Sequence, residues 1–247
     1  KNVKKIIHDF SKLDNRIKIL KKKNGNLSEI LNFGIKHSKG LFIARQDADD
    51  FSHKQRFKKQ IQWFKQDNSR VLCGTNCTLI DRNGNEIKNK RLPTKNLNIK
   101  KLLKIQNPFV HSSIMIRKST FKKINFYNDY FKSAQDYDAW TKISTLGKVG
   151  NLDQNLLKYT IHKNSISFKN KYAQNIFALL ASSNKAYFDF YKKFKKFESS
   201  PEKEISKLLS DKNINFKIQF LIYLYMSNLN KNFKLELKNF NIKTLSF

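Results

Sequence analysis

Residues 41–50 of this 247-residue chain read LFIARQDADD, a short apolar run that ends in three aspartates. The run follows a Ser-Lys-Gly turn at residues 38–40, and a short apolar segment after a turn is typical of a buried parallel strand. Asp47, Asp49 and Asp50 would then lie where that strand leaves the sheet. Open α/β sheets bind ligands at this edge, so the segment predicts a ligand site built on carboxylates.

Helical and extended patterns alternate on both sides of this strand. Helices are predicted over residues 3–13, 27–37, 54–64, part of 91–105 and the end of 133–146, and strands over residues 15–20, 41–44, 71–80, 109–117 and 156–162. The alternation predicts an α/β fold in which a mostly parallel sheet is flanked by helices. The pattern changes near residue 168, so we expect a main domain over residues 1–168 and a helical extension over residues 169–247.

The composition is strongly basic, with a formal net charge of +31. One interpretation is attraction to an anionic partner such as nucleic acid, a membrane surface or a phosphorylated ligand. The other is a general over-use of Lys, Asn, Ile and Phe, as in an AT-rich genome, and the even spread of basic residues favours it. No apolar run approaches the roughly 20 residues that a membrane-spanning helix needs. The only cysteines, Cys73 and Cys77, are expected to be reduced thiols in the cytosol.

Asp47, Asp49 and Asp50 are crowded, and like charges at this spacing raise one another's pKa unless a cation lies between them. Magnesium and manganese prefer such hard oxygen ligands and often share them with substrate phosphates, so the segment predicts a metal–diphosphate site. The alternative is an acidic turn that caps the following helix through Asp50 or Ser52.

A second acidic pair, Asp136 and Asp138, stands just before Trp140 at a predicted loop-to-helix junction. A carboxylate at this position can act as a general base if it reaches a substrate hydroxyl. Here too the alternative is helix capping. His111 and His162 lie on strand patterns, and His162 is the better candidate for a metal ligand because it ends its strand.

Three segments together resemble family 2 glycosyltransferases of the bacterial group that builds surface polysaccharides. They cover residues 24–60, with the acidic segment near their end, residues 107–118, and residues 134–167. The resemblance implies a GT-A fold, with the catalytic domain over residues 1–168. It also implies a nucleotide-diphosphate sugar donor and inverting transfer to a hydroxyl of a glycan or lipid-linked acceptor, as in lipopolysaccharide synthesis.

The resemblance also implies roles for individual residues. Asp136 would be the catalytic base, although Gln135 stands where the family often has Glu. Mn²⁺ or Mg²⁺ would be bound by Asp47, Asp49 and His162. Donor or acceptor contacts are expected from Asn24, Gly25, Arg45, Asp47, His111, Asp138 and Trp140.

Relatives begin with a strand–helix–strand unit that holds the nucleotide base, and the resemblance here starts after that unit. We therefore expect a truncated catalytic domain. Two other interpretations stay open, namely a basic non-catalytic module that binds nucleic acid or an anionic membrane, and an inactive transferase fragment. The transferase interpretation predicts no nucleic-acid partner and a cytoplasmic location, with peripheral contact at the inner face of the membrane as a second option.

Overall fold

The computed structural model describes residues 3–104, 106–129, 131 and 133–162. Within these residues the helices are α1 Val3–Leu13, α2 Leu27–His37, α3 Arg56–Lys65, α4 Asn96–Leu102, α5 Lys118–Lys123 and α6 Gln135–Leu146, and a single 3₁₀ turn covers His111–Ser113. The strands are β1 Phe42–Ala44, β2 Phe51–Ser52, β3 Arg70–Ile80, β4 Glu86–Lys90, β5 Met115–Arg117 and β6 Lys148–Thr160. The expected boundary near residue 168 and the helices predicted beyond it lie outside the described residues.

One six-stranded sheet organises the described part of the chain, in the order β1-β5-β3-β6-β2 with β4 also on β3. The long strands β3 and β6 run parallel, and their pairing extends from Arg70 and Lys148 to Ile80 and Thr160. The other edge of β3 is shared, since β5 pairs with its first half and β4 with its second half. The C-terminal ends of β3 and β6 therefore lie together at one edge of the sheet.

The α/β class is correct, but the expected mostly parallel sheet is wrong for the described residues. Only the β3–β6 pairing among them is parallel, and the pairings β1–β5, β2–β6, β3–β4 and β3–β5 are antiparallel. The tight turn at residues 81–85 forces β3 and β4 to run in opposite directions. An apolar run indicates burial, but it carries no information on the direction of its partner.

Three predicted strands need correction. β1 is not a buried parallel strand, because in the described structure it pairs only with β5 and its residues are partly or largely accessible. Residues 15–20 form no strand, and Ile17, Ile19 and Leu20 are exposed there. The segment predicted as strand 109–117 begins with the 3₁₀ turn, so His111 precedes β5 and is not inside a strand.

The core lies on both faces of the sheet because neighbouring residues of a strand point in opposite directions. Leu72 packs in the larger cluster with Trp140 of α6, whereas the adjacent Cys73 packs against Phe64 of α3. Cys73 and Cys77 are buried and free, which agrees with the prediction of reduced thiols in a strand. None of the helices in the described residues is long and apolar enough to cross a membrane.

Candidate active site

Arg45 and Asp47, which follow β1, form a bidentate ion pair. Arg45 Nη1 donates to Asp47 Oδ2 at 2.9 Å, and Arg45 Nη2 donates to Asp47 Oδ1. The Ser112 hydroxyl oxygen accepts from the backbone N–H of Asp47 at 2.9 Å and from Arg45 Nη1 at 3.3 Å. The predicted donor-site residues Arg45 and Asp47 are thus held against the 3₁₀ turn that carries His111.

A buried polar network fixes the backbone of the acidic segment, residues 45–50. Arg56, which is fully buried at the start of α3, donates to the carbonyl of Arg45 at 2.6 Å and to Gln60 Oε1 at 3.3 Å. Gln60 in turn donates to the carbonyls of Cys73 and Ser113, at 2.8 and 2.9 Å. The network ties the end of β1 to β3 and to the 3₁₀ turn, and burial lowers the pKa of Arg56 to about 10.

The capping alternative for Asp50 and Ser52 is wrong. The N-cap of α3 is Gln55, and no side chain caps that helix. Asp50 is buried, and its Oδ1 accepts from the backbone N–H of Thr160 at 2.9 Å. Burial raises the pKa of the Asp50 carboxyl. Asp50 therefore fastens the acidic segment to the end of β6 through Oδ1, while its buried Oδ2 has no hydrogen-bond partner in the described part of the chain.

Asp49 and His162 come together at the C-terminal edge of the sheet. His162 Nε2 lies 3.2 Å from Asp49 Oδ2, and the Asp49 side chain is about half exposed. They border a cleft of about 420 Å³, whose far side is the turn between β3 and β4. The cleft is lined by Asp49, Phe51, Ile80, Asp81, Arg82, Asn83, Gly84, Thr160 and His162. In the described part of the chain, no three His, Cys, Asp or Glu side chains are grouped to hold a metal ion.

Asp136 lies in the first turn of α6 and is not its N-cap, but its carboxylate accepts from the backbone N–H of Tyr137 in that turn, so part of the capping alternative holds. The N-cap of α6 is Ala134, which has a left-handed backbone at φ 55° and makes no side-chain cap. Asp136 Oδ2 accepts from Asn107 Nδ2 at 2.8 Å. Burial raises the pKa of Asp136, although the Asn107 amide, the N–H of Tyr137 and the charge of Arg45 oppose the rise. A carboxylate with a raised pKa is a stronger proton acceptor, as a general base requires.

His111 is held by aromatic side chains. Its Nε2 lies 2.6 Å from the Tyr127 hydroxyl oxygen, and its ring meets Trp140 edge to face at 5.6 Å between centroids. Burial, followed by the charge of Arg45, lowers the pKa of His111 well below its usual value. The imidazole is therefore neutral at physiological pH.

The charge of Arg45 links the Arg45–Asp47 ion pair to Asp136. Arg45, the ion-pair partner of Asp47, lowers the pKa of Asp136 through its charge. The pKa of Tyr127, which burial raises, is also shifted by the charges of Arg45, Asp136 and Asp47. The charges of Arg45, Asp47 and Asp136 thus act on one another and on the His111–Tyr127 pair.

Four predicted contact residues lie elsewhere. Asn24 and Gly25 occupy the exposed turn before α2, and no contact in the described structure links them to Arg45 or Asp136. Asp138 is buried in an ion pair with Lys142 at 2.7 Å, so its carboxylate already has a partner. Trp140 has no accessible surface and packs behind His111. The aromatic residue in the predicted motif thus supports the site from the core.

Comparison with known proteins identifies the family. Residues 1–124 match the family described as "Glycosyl transferase family 2". The chain belongs to glycosyl transferase family 2. It is 36% identical over 166 residues to the O-antigen biosynthesis glycosyltransferase WbnJ of Escherichia coli, covering 66% of this chain and 64% of that protein. It is 34% identical over 137 residues to the amylovoran biosynthesis glycosyltransferase AmsE of Erwinia amylovora, covering 55% and 51%. The chain thus spans about half to two-thirds of the length of these relatives.

Solved structures show the same fold as this family 2 chain. The crystal structure of S. aureus TarS residues 1–349 has a TM-score of 0.56 at 16% identity, covering 97% of this chain and 76% of that one. A second structure of the same TarS fragment, in complex with UDP-GlcNAc, gives a TM-score of 0.56 at 15% identity. The expected GT-A fold and family are therefore confirmed.

Sequence reasoning missed several residues that build this family 2 site. Asn107 and Ser112 lie inside a segment that carried the resemblance, but hydrogen bonding to Asp136 and Asp47 could not be inferred from their spacing. Tyr127 gave no signal, because it stands alone between Phe126 and Asn128 without a motif. Asn151 was also missed. Its amide donates to the carbonyl of Pro108 at 3.1 Å and so supports the neighbouring Asn107, which contacts Asp136.

Proposed function

We propose that this chain is an inverting glycosyltransferase that moves a sugar from a nucleotide-diphosphate donor to an acceptor hydroxyl. The observation that supports the proposal is that the charge of Arg45, the ion-pair partner of Asp47, acts on the buried carboxylate of Asp136, while Asp49 meets His162 at the end of β6. In a single displacement, the base and the leaving diphosphate must act on opposite sides of the anomeric carbon.

Asp136 is the proposed base. Its carboxylate would accept the proton of the acceptor hydroxyl while that oxygen attacks the anomeric carbon and the bond to the diphosphate breaks. Asn107 donates to Oδ2, and the carboxylate also accepts from the backbone N–H of Tyr137, so these contacts orient it for the acceptor. A positioned general base contributes about 10²–10⁴ in rate.

The donor set at Asp49 and His162 fits a divalent cation. The carboxylate oxygen and the imidazole nitrogen are 3.2 Å apart and open on the cleft. Such an ion, Mn²⁺ or Mg²⁺, takes few protein ligands when substrate phosphates supply the others. When bound, it would supply positive charge against the departing diphosphate. Asp47, the other predicted ligand, is engaged by Arg45, and we propose that this ion pair orients Arg45 beside the donor.

The relatives support a surface polysaccharide as the acceptor class. Their names refer to O-antigen and amylovoran biosynthesis. We propose a glycan or lipid-linked acceptor of this kind, used at the cytoplasmic side of the membrane. We also propose peripheral contact with an anionic membrane surface, which a net charge of +31 would favour even though the basic residues are spread along the whole chain.

The test is a donor screen. The full chain is incubated with UDP-, GDP-, CDP- and dTDP-sugars, with and without Mn²⁺, and the release of nucleoside diphosphate is measured. We expect turnover of one donor class, and its loss in Asp136→Asn with nearly unchanged affinity for the free nucleotide. Equal loss of turnover and nucleotide affinity would reject the role of Asp136. Binding of nucleic acid that weakens with salt, without any donor turnover, would favour the basic non-catalytic module instead.

A further inference from the structure

The site contains a buried hydrogen bond between His111 and Tyr127 that the proposed reaction does not use. His111 Nε2 and the Tyr127 hydroxyl oxygen are 2.6 Å apart. Tyr127 is almost fully buried, with 3% of its surface accessible. A hydroxyl can donate or accept, and a buried hydroxyl rarely leaves its proton without an acceptor.

The direction of this bond follows from the groups available. The Tyr127 O–H is a donor, and His111 Nε2 is its only acceptor among the described residues. Burial raises the pKa of Tyr127, so the phenol keeps its proton. Nε2 must then offer its lone pair, because a neutral imidazole has one acceptor and one donor nitrogen. The ring proton is therefore on Nδ1.

Both partners are held rigidly. Asn32 of α2 receives a hydrogen bond from the backbone N–H of Tyr127 at 3.0 Å and donates to the Tyr127 carbonyl at 2.8 Å. Trp140 meets both aromatic rings edge to face, at 5.6 Å from His111 and 6.2 Å from Tyr127. The imidazole therefore has little freedom to turn, and its Nδ1–H points in one fixed direction.

Nδ1 has no hydrogen-bond partner within the described part of the protein, and His111 is only partly buried. The His111–Tyr127 pair lies within the electrostatic reach of Arg45, Asp47 and Asp136. In the proposed reaction, the sugar must lie between the diphosphate, near Arg45 and Asp47, and the base Asp136. Ser112, the residue after His111, is hydrogen-bonded to Arg45 and to the backbone N–H of Asp47, so the donor of His111 lies near the position that the sugar would take.

We propose that His111 donates a hydrogen bond from Nδ1 to an oxygen of the transferred sugar, and that Tyr127 is the positioning residue that fixes this tautomer. The sugar oxygen is a hydroxyl or an acylamino carbonyl. This inference rests on the proposed function, since it names the side chain that would recognise the sugar of the nucleotide-sugar substrate. It makes the His111–Tyr127 pair a determinant of donor specificity, separate from the residues that bind the diphosphate.

The tautomer is tested without any substrate. In the ¹⁵N-labelled full chain, long-range ¹H–¹⁵N spectra of the histidine rings distinguish the protonated nitrogen from the nitrogen that carries the lone pair. His111→Asn identifies the His111 signals by their loss. We expect a single tautomer with the proton on Nδ1, and a tautomer mixture in Tyr127→Phe. A proton on Nε2 in the unmodified chain would overturn the proposal.

The sugar contact is tested by binding. Calorimetry compares each free nucleoside diphosphate with its nucleotide sugars, and the sugar that adds most to affinity becomes the probe. His111→Leu should lose roughly tenfold in affinity for that nucleotide sugar and nothing for the free diphosphate. His111→Asn, whose amide N–H replaces Nδ1–H, should keep most of the affinity. The His111→Asn variant also carries Tyr127→Phe, so that the buried Tyr127 hydroxyl is not left without the acceptor that His111 Nε2 provides.

The outcomes separate this inference from the proposed function. If His111→Leu keeps the contribution of the sugar, or if the Asn variant is as weak as the Leu variant, the role of His111 is wrong while the transferase proposal stands. If the unmodified chain binds no nucleotide and no nucleotide sugar, the transferase proposal fails, and the contact between His111 and the sugar is rejected with it.

Discussion

His162 Nε2 lies 3.2 Å from Asp49 Oδ2, although 113 residues separate the two in the sequence. The parallel pairing of β3 and β6 brings the end of β6 to the acidic segment, and the bond from the Thr160 N–H to Asp50 fixes that position. The Thr160 hydroxyl also donates to the carbonyl of Asp49. The proposed metal ligands are thus brought together by strand pairing.

The contact between Asp49 and His162 predicts that substitutions of Asp49 and of Asp47 change the effect of Mn²⁺ on UDP binding differently. In Asp49→Asn, Mn²⁺ should no longer strengthen UDP binding, because a carboxylate beside His162 is lost. In Asp47→Asn, the Mn²⁺ effect should persist, because Asp47 is paired with Arg45. Calorimetric titration of UDP with and without Mn²⁺ measures both. Loss of the Mn²⁺ effect in both variants would show that Asp47 is also a ligand, as the sequence alone predicted.

Asp136→Asn should remove activity, by about 10²–10⁴-fold, and raise stability at neutral pH. Burial raises the folded-state pKa of Asp136, so the unmodified protein loses stability as pH rises from the unfolded value near 4 through that raised pKa. Asp136→Asn has no carboxylate to ionise at this position, so it does not lose stability over that pH range. Urea unfolding measures the free energy of unfolding of both proteins at pH 4 and pH 7. The variant should be more stable than the unmodified protein at pH 7, and the difference should be smaller at pH 4.

Asp67→Asn is the matched control, with the opposite sign. The Lys148 ammonium and the Ser69 hydroxyl lower the pKa of Asp67, so its contribution is present at neutral pH and is lost as pH falls through the folded pKa. This variant should be less stable than the unmodified protein at pH 7. If Asp136→Asn and Asp67→Asn both raised the free energy of unfolding at pH 7, the removal of any carboxylate would stabilise the chain and burial of Asp136 would not be the cause.

Asn107→Asp should move the acidic limb of the activity profile to higher pH. The new carboxylate would face Asp136 Oδ2, where the Asn107 amide now donates at 2.8 Å, and a like charge disfavours the ionised base. One oxygen of the new carboxylate would still accept from the Phe109 N–H, as the Asn107 side-chain oxygen does. The pH dependence of kcat/KM measures the shift. Asn68→Asp adds the same charge in an exposed turn and should leave the limb in place.

Gly74→Ala should destabilise the protein by about 1–3 kcal/mol. A Cβ at Gly74 would lie 2.1 Å from Asn151 Oδ1, and the Asn151 amide supports the carbonyls of Pro93 and Pro108. The control is Gly34→Ala in α2, where no atom lies within 4 Å and a helix interior favours Ala by roughly 0.5–1 kcal/mol. Urea midpoints should therefore move in opposite directions, and a similar fall in both would reject the packing explanation.

The sequence alone predicted five of the six described helices and missed α5 at Lys118–Lys123. The spacing of Leu27, Ile30, Leu31 and Ile35 predicted α2 with its observed bounds. The acidic segment and Asp136 were selected because carboxylates at element ends can be recognised without knowledge of tertiary contacts, and their roles remain predictions. The partners of these residues depend on strand order, which local patterns do not encode.

The misplaced predictions have a common physical reason. β1 was predicted as parallel because its apolar residues indicated burial, yet direction is set by the neighbour, here the antiparallel β5. Trp140 was predicted to contact a ligand because it follows the acidic pair, but the helical period turns it into the core. Tyr127 was missed because its importance lies in a bond to His111, 16 residues away.

β6 also sets the spacing between the two ends of the site. Asn151, near the beginning of the strand, supports the segment that orients Asp136, and His162 follows directly after the strand ends. Both depend on the pairing of β6 with β3, whose register shifts between Leu152 and Leu157 and is regular from Leu157 to Thr160. Insertion of a single residue in this regular part would shift His162 by about 3.3 Å and reverse the face of every side chain beyond the insertion. The length of this strand is therefore under the same constraint as the reacting groups themselves, although most of its residues never approach a substrate.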